Sequence, residues 1–468
     1  MKMSKRLKKL FGNSIVFAIG SLGSKIIGIL MVPLYTYLLT TQMYGKIDLY
    51  LTVLSLIQPI GTLCVPDAVL RLVMEKDKEN EKVMYNSVLL LCIGYSILFL
   101  LFVFSSFIVE FPKSLFIILL LQGIQLLLSQ YIRGIGLVKQ FAFNGILMSF
   151  TLGISNIILM YFFGMKLDGY LLSIVITNTI SILYFLKYIE LNKIFRIKYF
   201  SKGMINEILR YSVPLIPNGM IWWFITGVSR VFILKYLDIS HNGLFAVSNK
   251  IPSLLIIFQT IFFQAWQLSA IEESDSQDSS TYTSEVYNIF SKFMFGTTLI
   301  LIFVSRIVIV WSLPDSYSEA WKYVPFLLLG VLFSSFASFV GTQYLVEKKT
   351  VGMFMSTIVG AFFNVLSCYL LIPTIGLQGA SIASFIGFLA LYLYRLIHIN
   401  KVSSFNVSVK SEIINLLILL LGTQVVMIEN VFTSGLIFTI LIIIFLILNQ
   451  ELIYLLKKIS KLLVKRRI

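Results

Sequence analysis

Apolar runs of about twenty residues follow one another along this chain with little between them. They fall near 11–39, 46–70, 85–109, 114–137, 142–164, 168–189, 209–235, 243–270, 286–311, 322–346, 351–372, 377–398, 411–428 and 432–456. A helix rises 1.5 Å per residue, so each run can cross a hydrocarbon layer of ~30 Å. In lipid a helix satisfies its own backbone groups, and reversals belong at the interface, where water helps. The expectation is an all-α polytopic membrane protein of about 14 transmembrane helices.

Composition agrees. The chain of 468 residues is 58% hydrophobic and 13% charged, whereas a soluble domain is nearer one quarter charged. In that setting the net charge of +16 points to cytosolic loops and anionic headgroups, and no nucleic-acid partner is expected. Cys64, Cys92 and Cys368 all lie in apolar runs without CxxC spacing, which indicates neither a disulfide framework nor a metal site. The start "MKMSKRLKKL" is basic like a signal-peptide n-region. The apolar stretch behind it is too long for an h-region and lacks a clear cleavage site, so it reads as a retained first helix.

One run is punctuated: "NVLSCYLLIPTIGLQGASIASFIGF", Asn364 to Phe388. Pro373 and Gly376 are expected to stop one helix. Gly379, Ala380, Ser381 and Ala383 then allow the next to start close beside it. A looser copy, "NIILMYFFGMKLDGYLLSIVI", runs from Asn156 to Ile176, with Asn156 opposite Asn364 and Gly169 opposite Gly379. A second echo sets "YLLTTQMYGKIDLY" from Tyr37 beside "YLDISHNGLFAVSN" from Tyr236, with Gly45 opposite Gly243. Two parallel six-helix lobes follow from these echoes. The N-lobe takes 11–190 and the C-lobe 207–399, joined by a cytosolic linker at 191–206. Two further helices occupy 400–456, between basic cytosolic ends at 1–10 and 457–468.

With the N-terminus inside, 29 of the 38 Lys and Arg fall in cytosolic segments, five in external loops and four within helices. That bias puts both termini in the cytosol. The external loops are short, and no P-loop, HExxH or GxSxG motif occurs, so an enzyme is not expected. The basic and aromatic linker suits an amphipathic segment on the inner surface or a plain connection between lobes.

Charges inside the bilayer cost ~2.5–3.5 kcal/mol each on insertion scales, so they point to sites. Lys25 lies ~21 Å from either end of its run, too deep to snorkel easily. It shares a small, polar stripe with Ser14, Ser21 and Gly28. It reads as a cavity-facing cation or as half of a structural ion pair. Arg230 and Lys250 lie less deep, so a cavity role and snorkelling both stand; Arg306 reads as a snorkelling anchor. Asp48 and Asp67 could couple an ion, H⁺ or Na⁺; helix caps or partners for Lys46 and Arg71 are the plainer reading. Trp222 and Trp223 could stack on sugar faces or pack internally, while Trp311 and Trp321 suit an interfacial belt.

Five pieces together resemble the Wzx-type repeat-unit flippases, the polysaccharide-transporter branch of the multidrug/oligosaccharidyl-lipid/polysaccharide exporter superfamily. They are "VPLYTYLLTTQMYGKIDLY", "PDAVLRLVME", "YLDISHNGLFAVSNKI", "FFQAWQLSAI" and "LLIPTIGLQGASIAS", spread over most of the chain. The resemblance implies two six-helix lobes around a central cavity lined by helices 1, 2, 7 and 8, alternating access, and an isoprenyl-pyrophosphate-linked oligosaccharide as cargo. It further implies basic cavity residues toward that anion, which map by position to Lys25, Arg230 and Lys250. Lobe 2 has no lysine opposite Lys25, a departure from pairwise charge clamping. Polysaccharide polymerase, glycosyltransferases and membrane lipids are the implied partners, and no cofactor is expected. The alternatives are a flippase for a teichoic-acid or peptidoglycan precursor, a cation-coupled drug exporter, which would want an acidic cavity, and a membrane enzyme, which would want a long external loop.

Overall fold

The computed structural model describes residues 27–75, 77–106, 112–194, 196–272, 278–346, 350–399 and 407–451. They are helical almost throughout and fall into two compact units that part after Arg230.

The unit ending at Arg230 opens with α1 (Ile27–Leu38) and α2 (Thr41–Gly61). Thr40 caps α2, its hydroxyl accepting the Met43 amide at 3.2 Å. Pro59 removes a backbone donor near the end of α2, and Leu63 and Cys64 both take φ of 50°. The helix therefore breaks and resumes as α3 (Val65–Val73), bent by 56°. Next come α4 (Asn80–Ser106), α5 (Ser114–Gly134) and α6 (Val138–Asn156). A π-helical turn, Ile157–Phe162, extends α6 before α7 (Lys166–Leu186). Val65, Ala68 and Val69 of α3 are fully buried in the core of this unit, with Ile118 and Ile132 of α5 and Phe185 of α7.

The segment 191–212 docks on the same unit. It holds α8 (Leu191–Ile194), a 3₁₀ turn at Ile197–Tyr199 and α9 (Lys202–Ser212). The side-chain amide of buried Asn86 donates to the Tyr199 carbonyl at 2.8 Å and accepts the Ser201 amide at 3.0 Å, which pins the turn. Met204 and Ile208 enter the core, and Lys78 bridges Glu207 at 2.7 Å. That bond holds the Lys78 ammonium above its usual range. The apolar residues of the segment are divided: Ile194, Met204 and Ile208 enter the core, while Ile197 and Phe200 stay exposed. Two short helices follow, α10 (Leu215–Thr226) and α11 (Val228–Tyr236), separated at Gly227.

The other unit continues with α12 (Ile239–Ser248), α13 (Lys250–Glu272) and the long α14 (Ser279–Ser312). A 3₁₀ stretch, Asp315–Tyr323, leads into α15 (Val324–Val346). Then come α16 (Thr350–Ile375), α17 (Leu377–Ile399), α18 (Val409–Val425) and α19 (Val431–Leu448). α15 is its central post: Leu328, Leu332, Phe336 and Phe339 are fully buried. Phe339 stacks on Trp266, whose indole donates to Thr342 at 3.0 Å. Asp238 caps α12 through the His241 amide at 2.8 Å. Burial pushes that carboxyl up, but bonds from the His241 amide and ring and the Ser240 amide outweigh it and hold it below the usual range. Thr40 and Asp238, and Gly45 and Gly243 five residues after each, repeat the same helix start, as the paired sequence echo requires.

The punctuated run folds as a tight hairpin. Gly376 takes φ +60°, and a Cβ on Gly379 would stand 2.5 Å from both C and O of Leu371. Only glycine permits that approach. Asn364 closes the pair, donating to the Ala383 carbonyl at 3.1 Å. Pro373 differs from expectation: it lies inside the last turns of α16, so Gly376 makes the stop. Arg395, near the end of the 377–398 run, lies buried in α17, where it donates to Ala337 O at 2.6 Å and Ser356 Oγ at 2.9 Å. Arg306 is an anchor: its guanidinium donates to the carbonyls of Val426, Ile428 and Glu429 after α18 and lies 4.7 Å over Trp321.

Among the described residues, ten helices are long and apolar enough to cross a membrane, or eleven if the bent α2–α3 pair is one span. The other three apolar runs of the sequence hold α1, the α10–α11 pair broken at Gly227, and the shorter α18. The outward faces of the spanning helices are apolar, as exposed Phe162 on the α6 extension and Phe432 and Ile447 on α19 illustrate.

Candidate substrate-handling site

The chemistry of the first unit gathers where α10 meets α2. Gly219 lets α10 approach closely, since a Cβ there would sit 3.3 Å from Pro59 Cγ. Trp223 then reaches α2 and donates its indole N–H to the Thr52 carbonyl at 2.9 Å. Its ring fills the space beside Gly227, where a Cβ would lie 2.5 Å from the indole. The helix yields there and restarts as α11, which carries Arg230 toward α2. Arg230 Nε meets Asp48 Oδ2 at 3.1 Å, and Nη1 donates to the Thr226 carbonyl at 2.6 Å. Asp48 lies one turn before Thr52, with buried Tyr44 one turn earlier again.

The ion pair is largely withdrawn from solvent: the Arg230 and Asp48 side chains are 13% and 20% exposed. Desolvation of two charges offsets much of their attraction, so such a pair contributes little net stability while each charge still needs a counter-charge.

Of the residues named from sequence, Lys25 lies outside the described residues. Arg230 and Asp48 come together, a pairing across 182 positions that local spacing does not suggest. Trp223 is packed and hydrogen-bonded, whereas Trp222 is partly exposed. Asp67 sits in the first turn of α3, where a negative charge suits the helix dipole. Arg71, the neighbour offered for it, bridges Glu75 at 3.7 Å and covers the Tyr211 ring at 4.8 Å. Lys250 belongs to the other unit; it opens α13, half-buried, and its ammonium meets no partner among the described residues. No cluster of His, Cys, Asp or Glu suited to a metal ion occurs among the described residues.

Sequence reading missed a second feature of the first unit. A cavity of about 440 Å³ opens among α2, α5, α6 and α7, with Gln58, Gln122, Gln125, Tyr170 and Asn178 in its wall. The three-residue spacing of Gln122 and Gln125 on one helix face was the available signal. The contributions of α2 and α7 emerge only when the helices pack.

Residues 10–267 match the family described as polysaccharide biosynthesis protein. This chain belongs to that family. It is the family of the Wzx-type flippases, so the expected recognition holds. No curated protein matches the chain in sequence. Among solved structures, the lipid II flippase MurJ in an inward closed conformation aligns at TM-score 0.65 and 17% identity. The alignment covers 94% of this chain and 100% of that one. An inward-facing multidrug-resistance MATE family transporter of the MOP superfamily aligns at TM-score 0.62 and 14% identity, over 84% of this chain and 94% of that one. A MOP superfamily transporter from Pyrococcus furiosus, described by a binding pocket of reversed polarity, aligns at 0.61 and 14%, over 84% and 96%. At such identities the likeness shows the fold. This member of the polysaccharide biosynthesis family has the all-helical architecture of a multi-pass cell-membrane transporter.

Proposed function

We propose that the chain flips an isoprenyl (undecaprenyl) pyrophosphate-linked oligosaccharide repeat unit across the cytoplasmic membrane by alternating access. The product would serve capsule, exopolysaccharide or O-antigen-type synthesis. The observation that carries this reading is Arg230, a guanidinium on the apolar α10–α11 stretch of a flippase-family chain, mostly withdrawn from solvent and paired with the Asp48 carboxylate. A pyrophosphate offers the same charge-assisted bonds as Asp48 and can displace it. Lys25 and Lys250 are the other cations we assign to the cargo's phosphates. Asp48, released when the anion takes Arg230, is the better placed of the two aspartates to bind a coupling H⁺ or Na⁺. The organisation we assign has lobes at 11–190 and 207–399, a linker at 191–206, helices 13–14 at 400–456 and both termini in the cytosol. Glycosyltransferases act before it and the polymerase after it. The isoprenyl tail stays in the bilayer while the polar head crosses, a task that asks for no covalent chemistry.

Deleting the gene tests this. Completed lipid-linked oligosaccharide should accumulate, unpolymerised, on the cytosolic leaflet. A deletion strain that stops at a shorter sugar chain would make the protein a transferase and end the flippase reading.

A further inference from the structure

We infer that the amide-lined cavity of the first unit is a subsite for the uncharged sugar part of the cargo, separate from the charged grip of Arg230; this rests on the flippase reading. The cavity's 440 Å³ lies within the ~300–1,000 Å³ usual for small-molecule sites. Its described lining contains no Lys, Arg, Asp or Glu, so it does not suit a phosphate.

The polar groups in its wall are under-used by the protein. Gln58 Oε1 is buried and meets no donor, and its Nε2 has only a long 3.5 Å contact with the Tyr95 hydroxyl. That hydroxyl itself donates to the Leu119 carbonyl at 2.8 Å. The Gln122 amide makes no hydrogen bond among the described residues. Gln125 Nε2 faces the Met148 sulfur at 3.4 Å, a weak acceptor. Asn178 donates to Ile174 O at 2.8 Å, which leaves its own side-chain carbonyl available.

A buried polar atom without a partner costs about 1–3 kcal/mol, which applies to Gln58 Oε1; Gln122 and Gln125 are half-buried, with carboxamides little used by the protein. They make a good wall for hydroxyls. Each carboxamide presents a donor and an acceptor side by side, which is what neighbouring sugar hydroxyls require. The Tyr170 ring, held edge-on to Tyr35 with centroids 5.3 Å apart, adds an aromatic wall for a sugar's C–H face. Sites that hydrogen-bond a substrate hydroxyl discriminate strongly, because the analogue lacking it strands their polar groups. The cavity would therefore set which repeat unit is carried, while the cations recognise the pyrophosphate common to all.

The test uses the full-length protein in lipid nanodiscs and two probes: undecaprenyl pyrophosphate without sugar, and the lipid-linked oligosaccharide extracted from the deletion strain. Wild-type protein should bind the glycosylated lipid more tightly. The double substitution Gln122→Leu with Gln125→Leu should weaken that lipid at least ~10-fold while leaving the sugar-free lipid unchanged, which also shows the variant is folded. Gln122→Ala alone, a milder change, should fall between. Equal losses for both lipids, or no loss for either, would mean a cavity filled by water only and would overturn the subsite. If the wild type binds neither lipid, the flippase reading itself fails and the subsite with it. If the wild type binds both equally, the flippase reading stands and the subsite does not.

Discussion

Arg230 and Asp48 are 182 positions apart in the chain, yet their side chains meet at 3.1 Å in a mostly buried ion pair. If the pair is a latch that the cargo opens, its two halves should respond oppositely. Asp48→Asn removes the carboxylate's charge from beside the guanidinium and should tighten binding of undecaprenyl pyrophosphate several-fold. Arg230→Met should weaken it by about 10-fold or more, since one charge-assisted bond is worth ~1.5–3 kcal/mol. Affinity measured on both variants decides the matter. Equal losses of thermal stability with unaltered affinity would make the pair purely structural.

Lys25 carries the deepest charge in the sequence, about fourteen residues from each end of its apolar run. Lys25→Ala should abolish polysaccharide export while the protein still reaches the membrane, and Lys25→Arg should keep part of it. Normal export by Lys25→Ala would remove this residue from the phosphate grip.

Packing of the α16–α17 hairpin depends on a missing side chain. A methyl at Gly379 would press into the Leu371 backbone at 2.5 Å, which cannot move aside as a side-chain tip can. Gly379→Ala should therefore destabilise by about 1–3 kcal/mol, read as a lower melting temperature in detergent. Gly145→Ala in α6, where a Cβ meets nothing within 4 Å, is the matched control and should leave stability equal or slightly higher.

The charge sorting predicts sidedness. With Cys92, the exposed native thiol, first replaced by serine, single cysteines at Thr41, Ser316 and Gln378 should react with an impermeant maleimide on intact cells. Cysteines at Lys78 and Lys198 should react only after lysis. Labelling of either from outside would reverse the assignment of both termini to the cytosol.

How much of this was legible in the sequence depended on whether a signal was local. The hairpin around Gly376 and Gly379 was, because glycine marks both a left-handed turn and a close approach. So was the repeated helix start at Thr40 and Asp238, because a capping residue and a glycine at fixed spacing leave a pattern. The partner of Asp48 was not: nearness along the chain favoured Lys46, and the packing of α10 on α2 delivered Arg230. The surroundings of Arg395 were hidden for a related reason. A charge near the end of an apolar run looks like a loop residue until a neighbouring helix supplies the carbonyl of Ala337. The glutamine cavity was hidden because its members come from separate helices, and each alone looks like ordinary polarity in a span.

The break at Leu63 and Cys64 makes one crossing into an elbow. Its shorter arm, α3, is wedged among fully buried neighbours, while the longer arm carries Asp48, Thr52 and Gln58. A rigid rod of that length would have to tilt as a whole, tearing the wedge loose. Two arms set 56° apart pack separately, so the direction of the longer arm is set by its own neighbours and not by the core that the shorter arm enters.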